Sequence, residues 1–348
     1  MPVKKKSDNE VRLGIIGIGT MAQVVHIPIL RSIEGVDLVG ISDLDSEKGE
    51  RYAQKNGIRW YETPEDMFHA GIDGVIILTP NNSHMPLAIG ALQSGVHVMV
   101  EKPLARNSAE AEKMISAADK AKKHLLVLMN QRFRQDVRVV KNYVKAGRLG
   151  EIFRIRCGWM TKYDTWNRPT WVGDKKIAGG GVMMDYGIQM LDFILWMLEY
   201  PKVVRVSGVT KKIRNKGNGE DYAMATIYFD KGIVMTLEVT WSLPAKESEA
   251  WTVIAGSNGR AHMNPTHIHL LENERINSYF PLKSLKTIDI HRSSYESEIK
   301  HFVEVLRTGT LAPGATAKEC LQALKVVEAI YETAKIGHEI AVDIGPMR

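Results

Sequence analysis

The stretch VRLGIIGIGTMAQVV, residues 11–25, runs a short apolar segment straight into Gly17, Gly19 and Ala22, a G-x-G-x-x-A spacing that opens a helical pattern. Strand, glycine loop and helix in that order are the context a dinucleotide-binding turn requires. Gly17 permits the tight turn, and Gly19 lets backbone approach a pyrophosphate held at the helix N-terminus, where Thr20 and Met21 stand. The next apolar run, VDLVGIS, leads to Asp43, about 20 residues past Ala22, where a carboxylate can accept hydrogen bonds from the adenosine ribose. That carboxylate repels a 2′-phosphate, and Leu44 and Asp45 offer no cation to bind one, so NAD is expected over NADP. Lys48 and Arg51 are the nearby cations that can weaken this preference. A plain βα turn with Asp43 as a helix cap is the alternative, and it leaves the agreement of these features unexplained.

Outward from this motif, apolar runs alternate with helical ones: IDGVIIL before 83–94, VHVMV before 107–123, and then HLLVLM. Near-continuous apolar strands joined through helices predict a doubly wound parallel sheet of the Rossmann type, covered on both faces. After about residue 150 the strands lengthen and alternate, as in EIFRIRCGWM, KVVRVSGVT and GIVMTLEVTW, with Gly, Asn and Lys turns between them. This predicts an α+β region with an open, mainly antiparallel sheet, a helix over 185–199 laid on it, and helices over 294–308 and 316–336. The expected division is an α/β cofactor-binding domain over 1–131, with 1–10 as a flexible tail, and a substrate-binding and oligomerisation domain over 132–348.

The 348 residues are 44% hydrophobic, enough for two cores. The formal charge of +6 includes Lys4, Lys5 and Lys6, and the remaining +3 is too scattered to suggest nucleic acid. Two distant cysteines, Cys157 and Cys320, suggest neither a disulfide framework nor zinc. His267 and His269 share a strand face without acidic partners, so they read as sheet residues and no metal is expected. No apolar run is long enough to span a membrane, and a cytoplasmic location is expected.

The segment GGGVMMDYGIQMLDFILWML, 179–198, is apolar apart from Asp185, Gln189 and Asp192, which fall on one helical face. A solvated stripe is the bland reading. The three glycines upstream favour a functional one, since they allow close approach of backbone to a ligand or to the other domain. They also place Asp185 near a helix start, where its charge is favourable. Asn130, at the end of HLLVLMN, is a further candidate for the pocket, whereas Arg132, Arg134, Arg138 and Lys141 read as a solvent-facing basic helix.

Together, VEKPLA (100–105), LTPNNSH (78–84) and the GGG segment resemble the Gfo/Idh/MocA oxidoreductases from about residue 11 to residue 343. The resemblance implies that Thr79, Pro80, Asn82 and His84 line the cofactor, that Glu101 holds its nicotinamide end and that Lys102 is catalytic. It also implies that Trp171 stands near the nicotinamide, although Val172 follows it where many members carry Arg. Lys102 follows VHVMV at the carboxyl end of a strand, and a lysine there, partly desolvated beside a cationic ring, is expected to have a lowered pKa suited to proton transfer.

In the family the pattern after GGG is Asp, His four residues later, then Asp; here Gln189 occupies the histidine position. Glutamine carries no proton at neutral pH, so Lys102 is expected to take the proton, Asp185 to hold lysine and substrate hydroxyl, and Gln189 to orient a sugar or polyol. A non-catalytic NAD-binding sensor and an NAD-dependent glycosidase are the alternatives that this departure keeps open. The loop TKYDTWNRPTWVGDKK, 161–176, adds Tyr163 and Arg168 as substrate candidates, with Lys175 and Lys176 available to an anionic sugar. The alternating outer sheet face predicts a homodimer or homotetramer.

Overall fold

A computed structural model describes residues 10–163, 170–282 and 287–346, which fall into two compact units. The first comprises the chain up to Leu104, Ala109–Leu128 and Tyr295–Ala317. Its strands β1 (Val11–Ile16), β2 (Val36–Ser42), β3 (Gly74–Ile77), β4 (His97–Glu101) and β5 (Leu125–Leu128) pair in parallel in the order β2-β1-β3-β4-β5. The reversal of direction between β1 and β3 opens a crevice at their carboxyl ends, the usual ligand position in such sheets.

Leu13, Ile15, Ile41, Ile76, Met99 and Leu126 form the interior of this unit. The helix expected over 294–308 runs as Thr287–Thr308, and from Tyr295 onward it belongs to the first unit. The cause is its apolar face: Ile299, Phe302 and Val303 are all buried in the same cluster as β1 and β3. At Gly74 a Cβ would stand 3.1 Å from Phe302, so the strand and this helix meet almost backbone to ring.

The second unit comprises Ala105–Ser108, Met129–Ser294 and Lys318 onward. It contains β6 (Ile152–Lys162), β7 (Val203–Lys211), β8 (Tyr222–Phe229), β9 (Val234–Leu243), β10 (Glu249–Gly256), β11 (Gly259–Met263), β12 (His267–Glu272) and β13 (Arg275–Tyr279). With the C-terminal strand Ile340–Ile344 they form one sheet, in which β6 and β9 are parallel and the other pairs antiparallel. Ile155, Cys157, Leu237 and Val239 point to the buried face. On the other face His262 lies across from His267, with ring centroids 4.2 Å apart, and His269 is 6.3 Å from it.

Of the basic run that the sequence places in solvent, Arg138 is exposed and Lys141 half-buried, but Arg132 and Arg134 are interior. Arg132 is fully buried, and Arg134 nearly so. Arg132 Nε and Nη2 donate to the two carboxylate oxygens of Asp192 at 2.7 and 2.6 Å, and Nη1 donates to Glu319 at 3.0 Å. Asp192 is therefore neither a solvated residue nor part of a ligand stripe. A guanidinium stripped of water needs such a fork of acceptors: burial by itself lowers the Arg132 pKa, and the charge and hydrogen bonds of Asp192, with Tyr200 and Cys320 beside it, together raise it further. Three segments, the turn Asn130–Phe133, the helix Ile188–Met197 and the helix Ala317–Ile336, are tied at this one point.

Two expectations follow. Asp192→Ala leaves Arg132 buried without its main partner, and denaturant unfolding should show a loss of about 3–5 kcal/mol, far more than a surface carboxylate would cost. In the first unit, His26 is completely buried, its ring nitrogens lack hydrogen-bond partners among the described residues, and burial lowers its pKa to about 4. Its folded pKa lies below the unfolded one, so its contribution is complete above pH ~6.5 and is lost as pH falls toward ~4. His26→Leu should shrink that acid-side loss by about 3 kcal/mol when unfolding is measured at both ends of this window.

Candidate functional site

Every cofactor candidate other than Trp171 belongs to the first unit, at the carboxyl ends of its parallel strands or in the segments that follow them. Gly17 has φ +93°, and a Cβ there would meet the Leu78 carbonyl at 2.8 Å, so only glycine fits the turn between β1 and β3. Gly19 differs: nothing lies within 4 Å of its Cβ position. The backbone from Gly19 to Met21 is exposed at the start of a helical run, whose first part, Ala22–His26, is π-helical. This is the open cradle a pyrophosphate needs.

Asp43 is fixed at the same loop. Its Oδ2 accepts from the Ile18 N–H at 2.5 Å and from Lys48 Nζ at 3.3 Å, while Oδ1 accepts from the Asp45 N–H at 2.9 Å. Lys48 thus sits beside the carboxylate expected to read the ribose, and its positive charge is half exposed. These residues fit a dinucleotide with an unphosphorylated ribose.

Thr79 and Pro80 lie half-buried after β3, Asn82 is exposed, and Glu101 ends β4 next to Lys102. His84 is fully buried rather than open to a ligand. Its Nδ1 is 2.9 Å from the Pro103 carbonyl and its Nε2 is 2.9 Å from the Thr79 carbonyl. The ring therefore clamps the loop after β3 to the loop that carries Lys102, and burial lowers its pKa. A neutral imidazole has a single N–H for these two acceptors.

In the second unit Asp185 lies in a π-helical turn, Met183–Gly187, that leads into the helix Ile188–Met197. Trp241 Nε1 donates to Asp185 Oδ2 at 3.2 Å, and Tyr186 bridges the two tryptophans, edge-on to Trp241 and stacked on Trp159 with centroids 4.2 Å apart. Gln189 Nε2 donates to the Asp185 backbone carbonyl at 2.8 Å. That contact fixes the orientation of the amide, since a carbonyl requires a donor. Gln189 keeps its acceptor oxygen and a second amide N–H for other partners.

The glycines upstream are packed within the second unit. A Cβ on Gly180 would overlap the Tyr331 hydroxyl, and one on Gly181 would overlap the Glu220 backbone. Gly179 is left-handed at φ +85° and closes on Arg106. Glu220, buried to 3% exposure, accepts through Oε1 from Gly181 N–H at 3.0 Å, Met183 N–H at 3.2 Å and the Tyr331 hydroxyl at 2.8 Å. It supplies the negative charge at the helix start. Lys175 reaches toward Glu220 at 3.9 Å and lies 6.0 Å above the Tyr331 ring, so it has a place within the unit itself.

Of the remaining candidates, Asn130 is buried and donates through Nδ2 to Ser294 Oγ at 3.0 Å. Tyr163 is exposed beyond β6, with Arg214 4.8 Å above its ring. Trp171 is half-buried in a turn over Thr170–Gly173, and Arg168 lies outside the described residues. Sequence reading misses Trp241 and Glu220, which act from positions 56 and 39 residues away from Asp185 and Gly181. The one available signal was that a buried helix start so poor in polar side chains needs an acceptor from elsewhere.

The profile of an oxidoreductase family with an NAD-binding Rossmann fold, GFO_IDH_MocA, matches residues 11–129, and that of the GFO/IDH/MocA C-terminal domain matches 137–262. D-glucoside 3-dehydrogenase of Escherichia coli is 27% identical over 96% of this chain and 98% of its own. The rhizopine catabolism protein MocA of Rhizobium meliloti is 26% identical over 92% and 94%. An oxidoreductase from Agrobacterium radiobacter, solved with NAD+, L-tartaric acid and magnesium, shares the fold with a TM-score of 0.84 at 23% identity, covering 96% of this chain and 98% of that one. The chain belongs to the Gfo/Idh/MocA family of oxidoreductases, with an NAD-binding Rossmann domain and the family's C-terminal domain.

Proposed function

We propose that the protein is an NAD-dependent dehydrogenase of a sugar or polyol, in which Lys102 receives the hydroxyl proton. The observation that carries this reading is the Lys102 loop, which leaves β4 at the carboxyl edge of the sheet that also presents Gly19 and Asp43, and which His84 ties to the Thr79 loop. The curated relative that acts on D-glucosides supports a sugar as substrate. Bound NAD supplies the hydride acceptor. The carbinol loses hydride from carbon and a proton from oxygen to become a carbonyl, and Lys102 Nζ, entering as the free amine, leaves as the ammonium.

Asp185, anchored by the Trp241 indole, accepts a hydrogen bond from a substrate hydroxyl, and Gln189 Oε1 accepts a second. Neither task requires the family histidine. NAD is favoured over NADP because the Asp43 carboxylate, held by a backbone N–H and a lysine, would repel a 2′-phosphate.

The test is the near-ultraviolet absorbance of reduced nicotinamide with a panel of aldoses, polyols, glycosides and uronic acids. Lys102→Met should lower kcat roughly 10²–10⁴-fold; undiminished turnover removes Lys102 from the proton step, and tight NAD binding with no turnover on any substrate favours a sensor. In Asp43→Ser the loss of a charged hydrogen-bond acceptor should weaken NAD about tenfold or more. Lys48, freed from its partner, should then admit NADP, which parallel titrations of the two dinucleotides would reveal.

A further inference from the structure

The second unit contains a cavity of about 490 Å³ between β6, β10 and β11 and the helices Gln135–Lys145 and Ile188–Met197. Its volume falls within the roughly 300–1,000 Å³ of small-molecule sites. Trp159 forms an aromatic wall, and Gln131, Ser248, Thr252, Asn264 and His291 bring polar atoms to it.

Several of those atoms have bonding capacity left. Gln131 is 5% exposed; its Oε1 accepts from Arg134 Nη1 at 3.3 Å, while its Nε2 has no partner among the described residues. Thr252 is 3% exposed, and its hydroxyl has no partner among them either. Asn264 accepts through Oδ1 from Arg134 at 3.0 Å, which leaves its amide nitrogen to the cavity. Gln131 Nε2 and the Thr252 hydroxyl thus face the cavity with hydrogen-bonding capacity unspent, which a polar occupant can take up.

The charge balance narrows the occupant further. Arg134 is the one formally charged residue among the described lining residues, and Asp136 grips its Nε and Nη2 with both carboxylate oxygens. Burial, then the neighbouring Arg134, lower the His291 pKa and favour the neutral imidazole. The cavity thus offers amide and hydroxyl donors, apolar walls from Val137 and Phe193, and a flat indole held by stacking on Tyr186, with no net charge for an anion. A neutral pyranose, with one apolar face of C–H groups and a rim of hydroxyls, complements that set.

Position along the helical run supplies the connection to the site described above. Tyr186 follows Asp185, and Met190, which lines the cavity, follows Gln189, so the two sets occupy neighbouring faces of one helical run. We propose that the cavity is a subsite for a neutral pyranose ring other than the one oxidised, so that disaccharides and larger glycosides are preferred over monosaccharides. This rests on the sugar-dehydrogenase reading only for the ring at Asp185 and Gln189.

Isothermal titration calorimetry of the NAD-loaded protein with cellobiose, maltose, lactose and trehalose, each against methyl β-D-glucopyranoside, tests it. At least one disaccharide should bind tenfold or more tightly than the methyl glycoside, and Gln131→Leu and Thr252→Val should each cut that ratio at least threefold. Circular dichroism and NAD affinity identify a variant that has failed to fold, and the other variant then decides. A wild-type ratio near one for all four disaccharides, a ratio kept in the folded variants, or no binding of any sugar overturns the subsite. Turnover of monosaccharides together with any of those results leaves the dehydrogenase reading intact. Absence of turnover alongside a Gln131-dependent disaccharide preference does the reverse.

Discussion

The fully buried guanidinium of Arg132 is the constraint on which the second unit is arranged. A cation removed from water can be held only where acceptors meet it in its own plane, and Asp192 and Glu319 do so from two different helices. Because Asp192 lies on the helix that follows Asp185 and Gln189, the pair fixes the rotation of that helix. A helix held only by its apolar side chains would be free to slip or turn at modest cost, since Met and Leu repack readily. A bidentate ion pair has one geometry, and so the face presenting Asp185 and Gln189 has one direction.

The start of the same helical run is fixed in a different way. Its free N–H groups at Gly181 and Met183 go to Glu220, and the absence of side chains at Gly180 and Gly181 lets Tyr331 and the 220 backbone come close enough to complete the arrangement. The glycines are therefore packing residues, and the carboxylate at 220 replaces the cap that the local sequence lacks. With both ends determined, the π-helical turn between them places Asp185 against Trp241 and lets Gln189 fold back on the Asp185 carbonyl. Such turns recur at functional positions because they alter the phase of the helix by one residue.

What could be read from sequence follows from the range of each interaction. The phosphate loop, the Asp43 position and the strand that Lys102 follows are local patterns, each contained within a few dozen residues, and their context of strand and helix is visible in the same window. The parallel sheet follows from the same periodicities. Arg132 was misread because arginine is ordinarily a surface residue and its partners stand 60 and 187 positions away. Asp192 carried the missing signal: a carboxylate so deep in an apolar helix requires a cation somewhere in the fold. The return of Tyr295–Ala317 to the first unit was hidden for a related reason, since an amphipathic helix declares that it is covered but not which sheet covers it.

Replacement of the family histidine by Gln189 is the chemical crux, and the geometry limits what it changes. An imidazole at this position would offer a titratable nitrogen, whereas the amide of Gln189, held by one N–H on the Asp185 carbonyl, offers an oxygen and a second N–H that hydrogen-bond without titrating. On the proposed reading, the position would keep a part in orientation and give up proton transfer. In the proposed mechanism a lysine could take over that step, since desolvation and a neighbouring cation such as an oxidised nicotinamide would favour its neutral amine, and reduction would remove that cation. Dividing the work in this way would make proton release depend on the redox state of the dinucleotide rather than on a second titrating side chain, and the helix face could then be tuned for sugar recognition alone.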